Sequence, residues 1–401
     1  MPDSQPADDV DPVRFVWTCL RVHRDVQAVR EAVDAIERGL DWLPVANYAL
    51  AHKVIPQLYR GLRCLPVDAV PNALLTQFAV LQADIEAFNS RKTGALGTVA
   101  TEFADAGITG VAYKGPVVAL TAYGSLAGRQ FADLDWLVAE HDVAAAREVL
   151  RGLGYYHLRK SLTWEETWRL GEPVELELDL HWRLGPQRPF QYWISFAFDA
   201  AAAISRAQTI LLDDGTPVPA FSAEDALIAQ SQTTLKNGFN TALAQMRWVC
   251  DIDGLVCNQP PDWRVMLNRA REGHCLRPLL LCLAVSARTL RTPLPDDVAR
   301  LTARDTVVGK LAETVINNFL RGAPAAEYAT SSKLRIAASL QDRLGDRLPY
   351  WSAAAAAMFA PTERDRQFIA LPDGLQRLYY VVRPVRLMRD WFKDKSNQAP
   401  R

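Results

Sequence analysis

The spacing of apolar residues distinguishes helical stretches of the chain from a central stretch of short strand-like runs. From Pro12 to about Gly107 apolar residues recur at intervals of three and four, which is the period of an amphipathic helix. Short β-type runs replace this period from Ile108 to about Ser222, and helical spacing then continues almost to the C-terminus. The pattern predicts four segments: a disordered acidic N-terminus at 1–12, a helical region at 13–107, an α/β core at 108–222 and a helical region at 223–401.

Turn signals mark the ends of elements within the central block. The run GVAY is followed by Lys-Gly-Pro at 114–116, which predicts a strand that passes directly into a helix, because proline suits the first helical turn. Asp-Asp-Gly at 213–215 separates two β-type runs and predicts a hairpin, because glycine adopts positive φ without steric cost. Ser222 followed by Asp225 predicts the N-cap of the next helix.

Composition and charge exclude several classes of protein. Lys and Arg together number 45 against 46 Asp and Glu, and a formal net charge of -1 gives no overall field that would attract long nucleic acid. The apolar runs are far shorter than the roughly 20 residues that a membrane-spanning helix needs. The cysteines lack the CxxC pairing of a zinc site, and the acidic N-terminus is the opposite of a signal peptide. We therefore predict a cytoplasmic protein without a transmembrane segment. Because the net charge is close to zero, any charged substrate must be bound by charged groups at its own site.

An acidic pair, Asp133 and Asp135, stands at the start of the apolar run LDWLV. Alternate residues of a strand point to the same face, so both carboxylates share one face while Leu134 and Trp136 take the other. Two carboxylates about 4 Å apart repel by roughly 4 kcal/mol at an effective dielectric of about 20. The pair therefore favours a bound cation, and Mg²⁺ is the natural choice because it binds carboxylates together with phosphate oxygens. The alternative is an acidic pair that is simply solvated where the strand begins.

The run VELELDLHW at 174–182 alternates polar and apolar residues without a break and predicts another strand. Asp179, if it lay beside the acidic pair, would complete a metal site of three carboxylates. The alternative is a solvated edge strand. For His181 we favour a structural role at the strand end over a general base or a substrate contact. All the polar side chains of this strand lie on one face: Glu175, Glu177, Asp179 and His181.

The Lys114-Gly115 turn is a second candidate for chemistry. Free backbone N–H groups at the start of a helix carry partial positive charge, glycine allows a close approach, and Lys114 adds a full charge. Together these groups suit a phosphate. The alternative is an ordinary turn between a strand and a helix.

The C-terminal run at 378–395 combines aromatic and basic residues. We favour an ordinary packed terminal helix, because Asp390 and Asp394 dilute the basic charge that anionic lipids need. Contact with a membrane surface or a partner is the alternative.

Several motifs follow one another in the chain: YKG, a helix, GRQFADLDWLV, a helix ending in LGY, and ELDLHWRL. This succession resembles the uncharacterised nucleotidyltransferase family of the polymerase-β-type superfamily. The resemblance covers mainly residues 108–185, with a weaker likeness around Met246–Asp251. It implies an α+β fold, in which a nucleotidyltransferase-like mixed-sheet core is flanked by N-terminal and C-terminal helical regions.

The resemblance also implies roles for particular residues. Asp133, Asp135 and Asp179 would be the catalytic carboxylates and would bind the metal, Mg²⁺ or Mn²⁺, with Glu177 as the fallback for the third position. The superfamily usually has Gly-Ser where this chain has Lys-Gly, so a serine hydroxyl that often contacts phosphate is missing. The residues expected to hold the phosphate oxygens are Lys114, Gly115 and Arg129.

The implied reaction moves a nucleoside monophosphate from a nucleoside triphosphate, such as ATP, to an acceptor and releases pyrophosphate. The sequence leaves the base, the acceptor and the oligomeric state open; the acceptor could be a protein hydroxyl, a small molecule or an RNA end. One alternative is a catalytically silent nucleotide-binding or scaffold protein of the same fold. Another is a phosphotransferase that uses the same metal site.

Overall fold

The computed structural model describes residues 10–158, 164–171, 176–185, 197–235, 245–321 and 330–359, with parts of 367–389. The predictions for residues 1–9, for Glu175 and for the run beyond 389 fall outside this part of the chain. Of the predicted terminal helix, residues 379–386 are described and are helical.

Aspartates set the starts of the first three helices. Asp11, Asp25 and Asp41 each accept hydrogen bonds from backbone N–H groups of the first turn, which have no partner within the helix. The N-terminal helices are α1 (Pro12–Cys19), α2 (Val26–Glu37), α3 (Trp42–Ala51), α4 (Ile55–Leu62) and α5 (Asn72–Asp105).

The central block contains strands with helices among them, as the hydrophobic pattern predicts. Pro116 lies in the first turn of the helix after GVAY, and Ser222 caps the first C-terminal helix by accepting a hydrogen bond from Asp225 N–H. The strands are β1 (Gly110–Tyr113), β2 (Leu134–Val138), β3 (Tyr156–His157), β4 (Glu165–Leu170), β5 (Leu176–His181), β6 (Gln208–Leu211) and β7 (Pro217–Ala220). The helices between them are α6 (Gly115–Tyr123), α7 (Val143–Gly152) and α8 (Ala200–Ser205).

Within the described residues these seven strands form one mixed sheet in the order β3-β4-β5-β2-β1-β7-β6. Strand β2 runs parallel to β5 and antiparallel to β1, and β1 runs parallel to β7. The predicted hairpin is present as the antiparallel pair β6–β7, and Gly215 in its turn has φ +84°. A mixed sheet with flanking helices confirms the predicted α+β class.

The two faces of the sheet are covered by different helices. Leu134 and Trp136 of β2 are buried in a core with the second half of α5 and with α7. Leu137 packs on the opposite face with Ile204 of α8 and Phe221. Because side chains alternate along a strand, Asp135 belongs to the face of Leu137. The site described below therefore lies on the α8 side of β2.

The chain after the sheet is helical, as predicted, and its helices share one apolar core with α1–α4. No helix in the described part of the chain combines the length and apolarity needed to cross a membrane. The C-terminal helices are α9 (Ala223–Thr234), α10 (Met246–Asn258), α11 (Trp263–Glu272), α12 (Leu276–Leu290), α13 (Asp296–Arg304), α14 (Thr306–Leu320), α15 (Thr330–Leu340) and α16 (Leu344–Phe359).

Candidate functional site

Neighbouring strands of the sheet bring two of the predicted acids together. Asp135 on β2 is in register with Asp179 on the parallel strand β5, and with Tyr113 on β1. Partners in register on adjacent strands point to the same face of the sheet and lie less than about 6 Å apart. The parallel pairing of β2 and β5 therefore places the two carboxylates side by side.

Asp135 is a buried anion that two cationic groups hold in its charged form. Its side chain is 2% exposed; the Lys114 ammonium forms an ion pair with Oδ1, and His181 Nε2 lies 3.1 Å from the same oxygen. Burial opposes ionisation of the carboxyl, but the charge of Lys114 and the hydrogen bond with His181 outweigh it and lower the pKa of Asp135 to about 2.

His181 lies between two carboxylates. Its Nδ1 is 3.2 Å from Glu165 Oε2 on β4, while Nε2 faces Asp135. Burial disfavours the imidazolium, but hydrogen bonds with Asp135 and Glu165 raise the pKa of His181 above its ordinary value. The structural role that the sequence favours for His181 is thus compatible with this position, but the contacts also place the ring within the candidate metal group.

Asp179 has a different electrostatic environment from Asp135. It is half-buried and accepts a hydrogen bond of 2.7 Å from Thr167 Oγ1, and burial raises its pKa. Glu177, the fallback for Asp179, forms an ion pair with Arg169. Among the described residues, the group of acids and histidines close enough to share a metal ion is Asp135, Asp179 and His181, whose ligand atoms all lie within 4.8 Å of one another.

This donor set fits a divalent cation. Carboxylate oxygens are the ligands that Mg²⁺ and Mn²⁺ prefer, and a neutral imidazole is an additional donor for Mn²⁺. The close carboxylates of Asp135 and Asp179 also create the concentration of negative charge that a cation relieves. Asp133 is not part of this group; it immediately precedes β2 and is half-buried. Its predicted role as a metal ligand stays a prediction.

A cavity of about 310 Å³ opens beside Asp135. A larger cavity of about 600 Å³ exists elsewhere in the molecule, but its lining contains none of the predicted site residues. The smaller cavity is therefore the candidate substrate site. Its lining includes five of the six predicted site residues, the exception being Asp179: Lys114, Gly115, Arg129, Asp133 and Asp135.

The turn from β1 into α6 directs Lys114 back toward the sheet. Lys114 has φ 57° and ψ -150°, a region that disfavours side chains and costs about 1–3 kcal/mol. Gly115 follows at φ 35°, and a Cβ there would lie 3.1 Å from the Asp133 carbonyl oxygen. The strained turn and the close approach of the chain before β2 together bring the Lys114 ammonium to Asp135.

Arg129 lines the cavity, but it is also locked into the protein interior. Its Nε lies 3.0 Å from Oδ1 of Asp251 on α10 and its Nη2 lies 3.0 Å from Oδ2, and both side chains are at most 3% exposed. The hydroxyl of Tyr123 donates to Asp251 at 2.9 Å, and the amide of Gln230 donates at 3.1 Å. Arg129 therefore links the core to α10, and only its Nη1 lacks a bond to Asp251.

Several residues of the cavity were not predicted from the sequence. Lys53 follows α3, while Arg247 and Trp248 belong to α10, and all three line the cavity. His52 joins these segments: its Nδ1 accepts a hydrogen bond of 3.2 Å from Met246 N–H, and its carbonyl accepts one of 3.3 Å from Arg247 N–H. The weaker likeness around Met246–Asp251 includes Arg247 and Trp248 but implies no role for them, and no motif marks Lys53, because these residues contribute through packing between distant segments.

His52 should make stability depend on pH. The side chain is 2% exposed, and burial lowers its pKa from 6.5 to about 4. Because the unfolded chain takes up the proton first, this contribution is complete above about pH 6.5 and is lost as the pH falls toward 4. Between about pH 7 and pH 4, the free energy of unfolding should fall about 3 kcal/mol more for the wild type than for His52→Asn. Urea denaturation at several pH values measures this difference, and parallel curves would contradict it.

Comparison with known proteins places this geometry in context. A model of the family described as uncharacterised nucleotidyltransferase matches residues 38–291. This range includes both acidic strands, the turn that carries Lys53 and the helix that carries Arg247. No significant match was found among curated proteins. Among solved structures, the chain is similar to an antigenic nucleotidyltransferase-like protein from Paracoccidioides brasiliensis, with 13% identity and a TM-score of 0.31 over 52% of this chain and 93% of that one. Because the family model spans more than half of the sequence, this chain belongs to the uncharacterised nucleotidyltransferase family.

Proposed function

We propose that this protein transfers a nucleoside monophosphate from a nucleoside triphosphate to an acceptor and releases pyrophosphate. The observation that carries the proposal is the in-register pair Asp135 and Asp179 beside the Lys114-Gly115 turn and the 310 Å³ cavity. Family membership supports the same class of reaction.

Asp135 and Asp179 would hold a divalent cation, Mg²⁺ or Mn²⁺, with Asp133 as the further carboxylate at the cavity. When bound, such a cation neutralises triphosphate charge and orients the α-phosphorus for in-line attack. The backbone N–H groups at the start of α6 and the Lys114 ammonium would face the phosphate oxygens, as the sequence predicts. Arg129 would contribute its remaining nitrogen, Nη1, to the same group.

The two central carboxylates suit different tasks because their environments move their pKa values apart. The pKa of Asp135 is about 2, so it stays ionised and anchors the cation. Burial raises the pKa of Asp179, which makes it the better proton acceptor. In the proposed step, the acceptor oxygen forms a bond to the α-phosphorus and its proton passes to Asp179. The bond from the α-phosphorus to the bridging oxygen breaks, and pyrophosphate leaves.

Calorimetric titration of ATP, GTP, CTP and UTP with Mg²⁺ or Mn²⁺ tests this proposal in the wild type and in Asp179→Asn. Glu177→Gln is a matched control, because Glu177 lies on the same face of β5 but is paired with Arg169. We expect one nucleotide to bind the wild type and the control only with metal, and Asp179→Asn to bind it at least about tenfold more weakly.

The products of turnover separate the proposed reaction from its alternatives. With the bound nucleotide labelled at the α-phosphorus, transfer of the label and release of pyrophosphate would support nucleotidyl transfer. Release of a nucleoside diphosphate would indicate a phosphotransferase. Metal-dependent binding without any product from protein, small-molecule and RNA acceptors would favour a silent nucleotide-binding protein. A wild type that binds no nucleotide would overturn the proposal.

A further inference from the structure

The candidate cavity carries more positive charge than its own acids balance. Among the described residues, its lining has four cationic side chains and two carboxylates, those of Asp133 and Asp135. Lys114 is paired with Asp135, and Arg129 is paired with Asp251 outside the lining. The two remaining cations are Lys53 and Arg247, for which the described residues provide no ion pair.

Arg247 has hydrogen-bonding capacity that the protein leaves unused. Its Nε is buried and has no hydrogen-bond partner among the described residues, and its Nη1 lies 3.5 Å from the Gln130 carbonyl, at the limit for such a bond. The guanidinium lies 4.0 Å from the centre of the Trp248 ring. Stacking of this kind occupies the face of the guanidinium and leaves its N–H edge for an acceptor.

Lys53 is the second cation without an ion pair among the described residues, and the charges of Arg247 and Asp133 both act on it. Burial and the charge of Arg247 lower the pKa of Lys53, while Asp133 acts in the opposite direction. Burial and the charge of Arg129 lower the pKa of Arg247 to about 10. Burial and mutual repulsion thus disfavour the charged forms, Asp133 and Asp251 act in the opposite direction, and a bound anion would stabilise both cations further.

The placement of the two cations is fixed by the structure. His52 accepts hydrogen bonds from the backbone of Met246 and Arg247, so the end of α3 is joined to the start of α10. Lys53 follows directly with φ 54°, a left-handed conformation that turns the chain at this point. A lysine and an arginine from opposite ends of the matched region therefore reach one cavity.

We infer that Lys53 and Arg247 form a binding site for the pyrophosphate portion of a nucleoside triphosphate, an assignment that rests on the proposed function. An ammonium and a guanidinium edge match the multiple oxygens and charges of adjacent phosphates. The Lys114 ammonium is shared with Asp135, so Lys53 and Arg247 add positive charge that no ion pair among the described residues takes up.

Inorganic pyrophosphate is the direct probe, titrated calorimetrically into the full-length protein in EDTA and again with Mg²⁺. Each of Lys53→Met and Arg247→Met should weaken pyrophosphate binding about tenfold or more, because each removes a charge-assisted contact. Lys310→Met and Arg304→Met are matched controls: they remove the same charges from exposed positions on α14 and α13 and should bind pyrophosphate as the wild type does.

Binding by Lys53→Arg close to that of the wild type would show that the site needs a positive charge at this position. Unchanged pyrophosphate binding by both Met variants would overturn the inference. The proposed function would still stand if those variants and the wild type transferred nucleotides equally. Conversely, suppose that pyrophosphate binding depends on Lys53 and Arg247 but that no nucleotide binds in a metal-dependent way. That result would support the anion site and reject nucleotidyl transfer. A wild type that binds neither pyrophosphate nor any triphosphate would reject both.

Discussion

The Asp135→Asn variant is expected to lose metal-dependent nucleotide binding and to transfer nucleotides roughly a thousandfold more slowly than the wild type. The carboxylate is the buried member of the proposed metal pair, and several kcal/mol of transition-state stabilisation depend on a correctly held cation. The substitution also leaves Lys114 and His181 facing a neutral amide. Loss of one partner from a buried ion pair should lower the free energy of unfolding by about 3–5 kcal/mol. Assays of α-phosphate transfer and urea denaturation in EDTA measure the two effects separately.

A second variant separates the effect of Asp135 on stability from its effect on catalysis. In Asp135→Asn with Lys114→Met, the uncompensated buried ammonium is absent, so much of the lost stability should return while transfer activity should not. Full nucleotidyl transfer by Asp135→Asn, with the fold intact, would exclude Asp135 from the metal site.

Arg129→Met is expected to lower the free energy of unfolding by about 3–5 kcal/mol. The guanidinium makes a two-point ion pair with Asp251. Its removal would leave that buried carboxylate with Tyr123 and Gln230 as its hydrogen-bond donors among the described residues. Chemical denaturation of the metal-free protein measures the loss. Adding Asp251→Leu should restore part of it, because the second substitution removes the unpaired charge.

Arg247→Met provides the contrasting variant for Arg129. Arg247 lines the same cavity without an ion pair among the described residues, so its loss should affect anion binding far more than stability. If Arg129→Met were instead as stable as the wild type and defective only in nucleotide binding, the phosphate-binding role expected from the sequence would be correct and the structural role would be wrong.

The alternating patterns made the sheet largely predictable. In β5, the apolar residues Leu176, Leu178 and Leu180 are buried, and the polar residues between them are half-buried, as the period of two requires. The pattern also places Asp179 on a polar face, but it does not state which strand lies beside β5. The resemblance implied that Asp179 acts together with the acidic pair, and the parallel register of Asp135 with Asp179 agrees with that implication.

The sequence was least informative about ion pairs and other charged contacts between residues that are far apart in the chain. The resemblance implies that Arg129 is a phosphate ligand, yet its partner Asp251 lies 122 residues away on α10. The sequence favours a structural strand-end role for His181 and does not reveal its contact with Glu165. That contact depends on the antiparallel pairing of β4 with β5. Nothing in the sequence assigns a role to Lys53, which lies in the turn after α3, or to Arg247 on α10; the cavity that they share brings them together.

The hydrogen bond between His52 and Met246 spans 194 residues, and this separation has a consequence for synthesis on the ribosome. The strands that carry Asp135 and Asp179 are complete by His181, when α10 has not yet been translated. A nascent chain therefore has the acidic residues long before Arg247 can join Lys53. Under the proposed function, the Lys53–Arg247 pair would therefore be completed only after α10 has been translated.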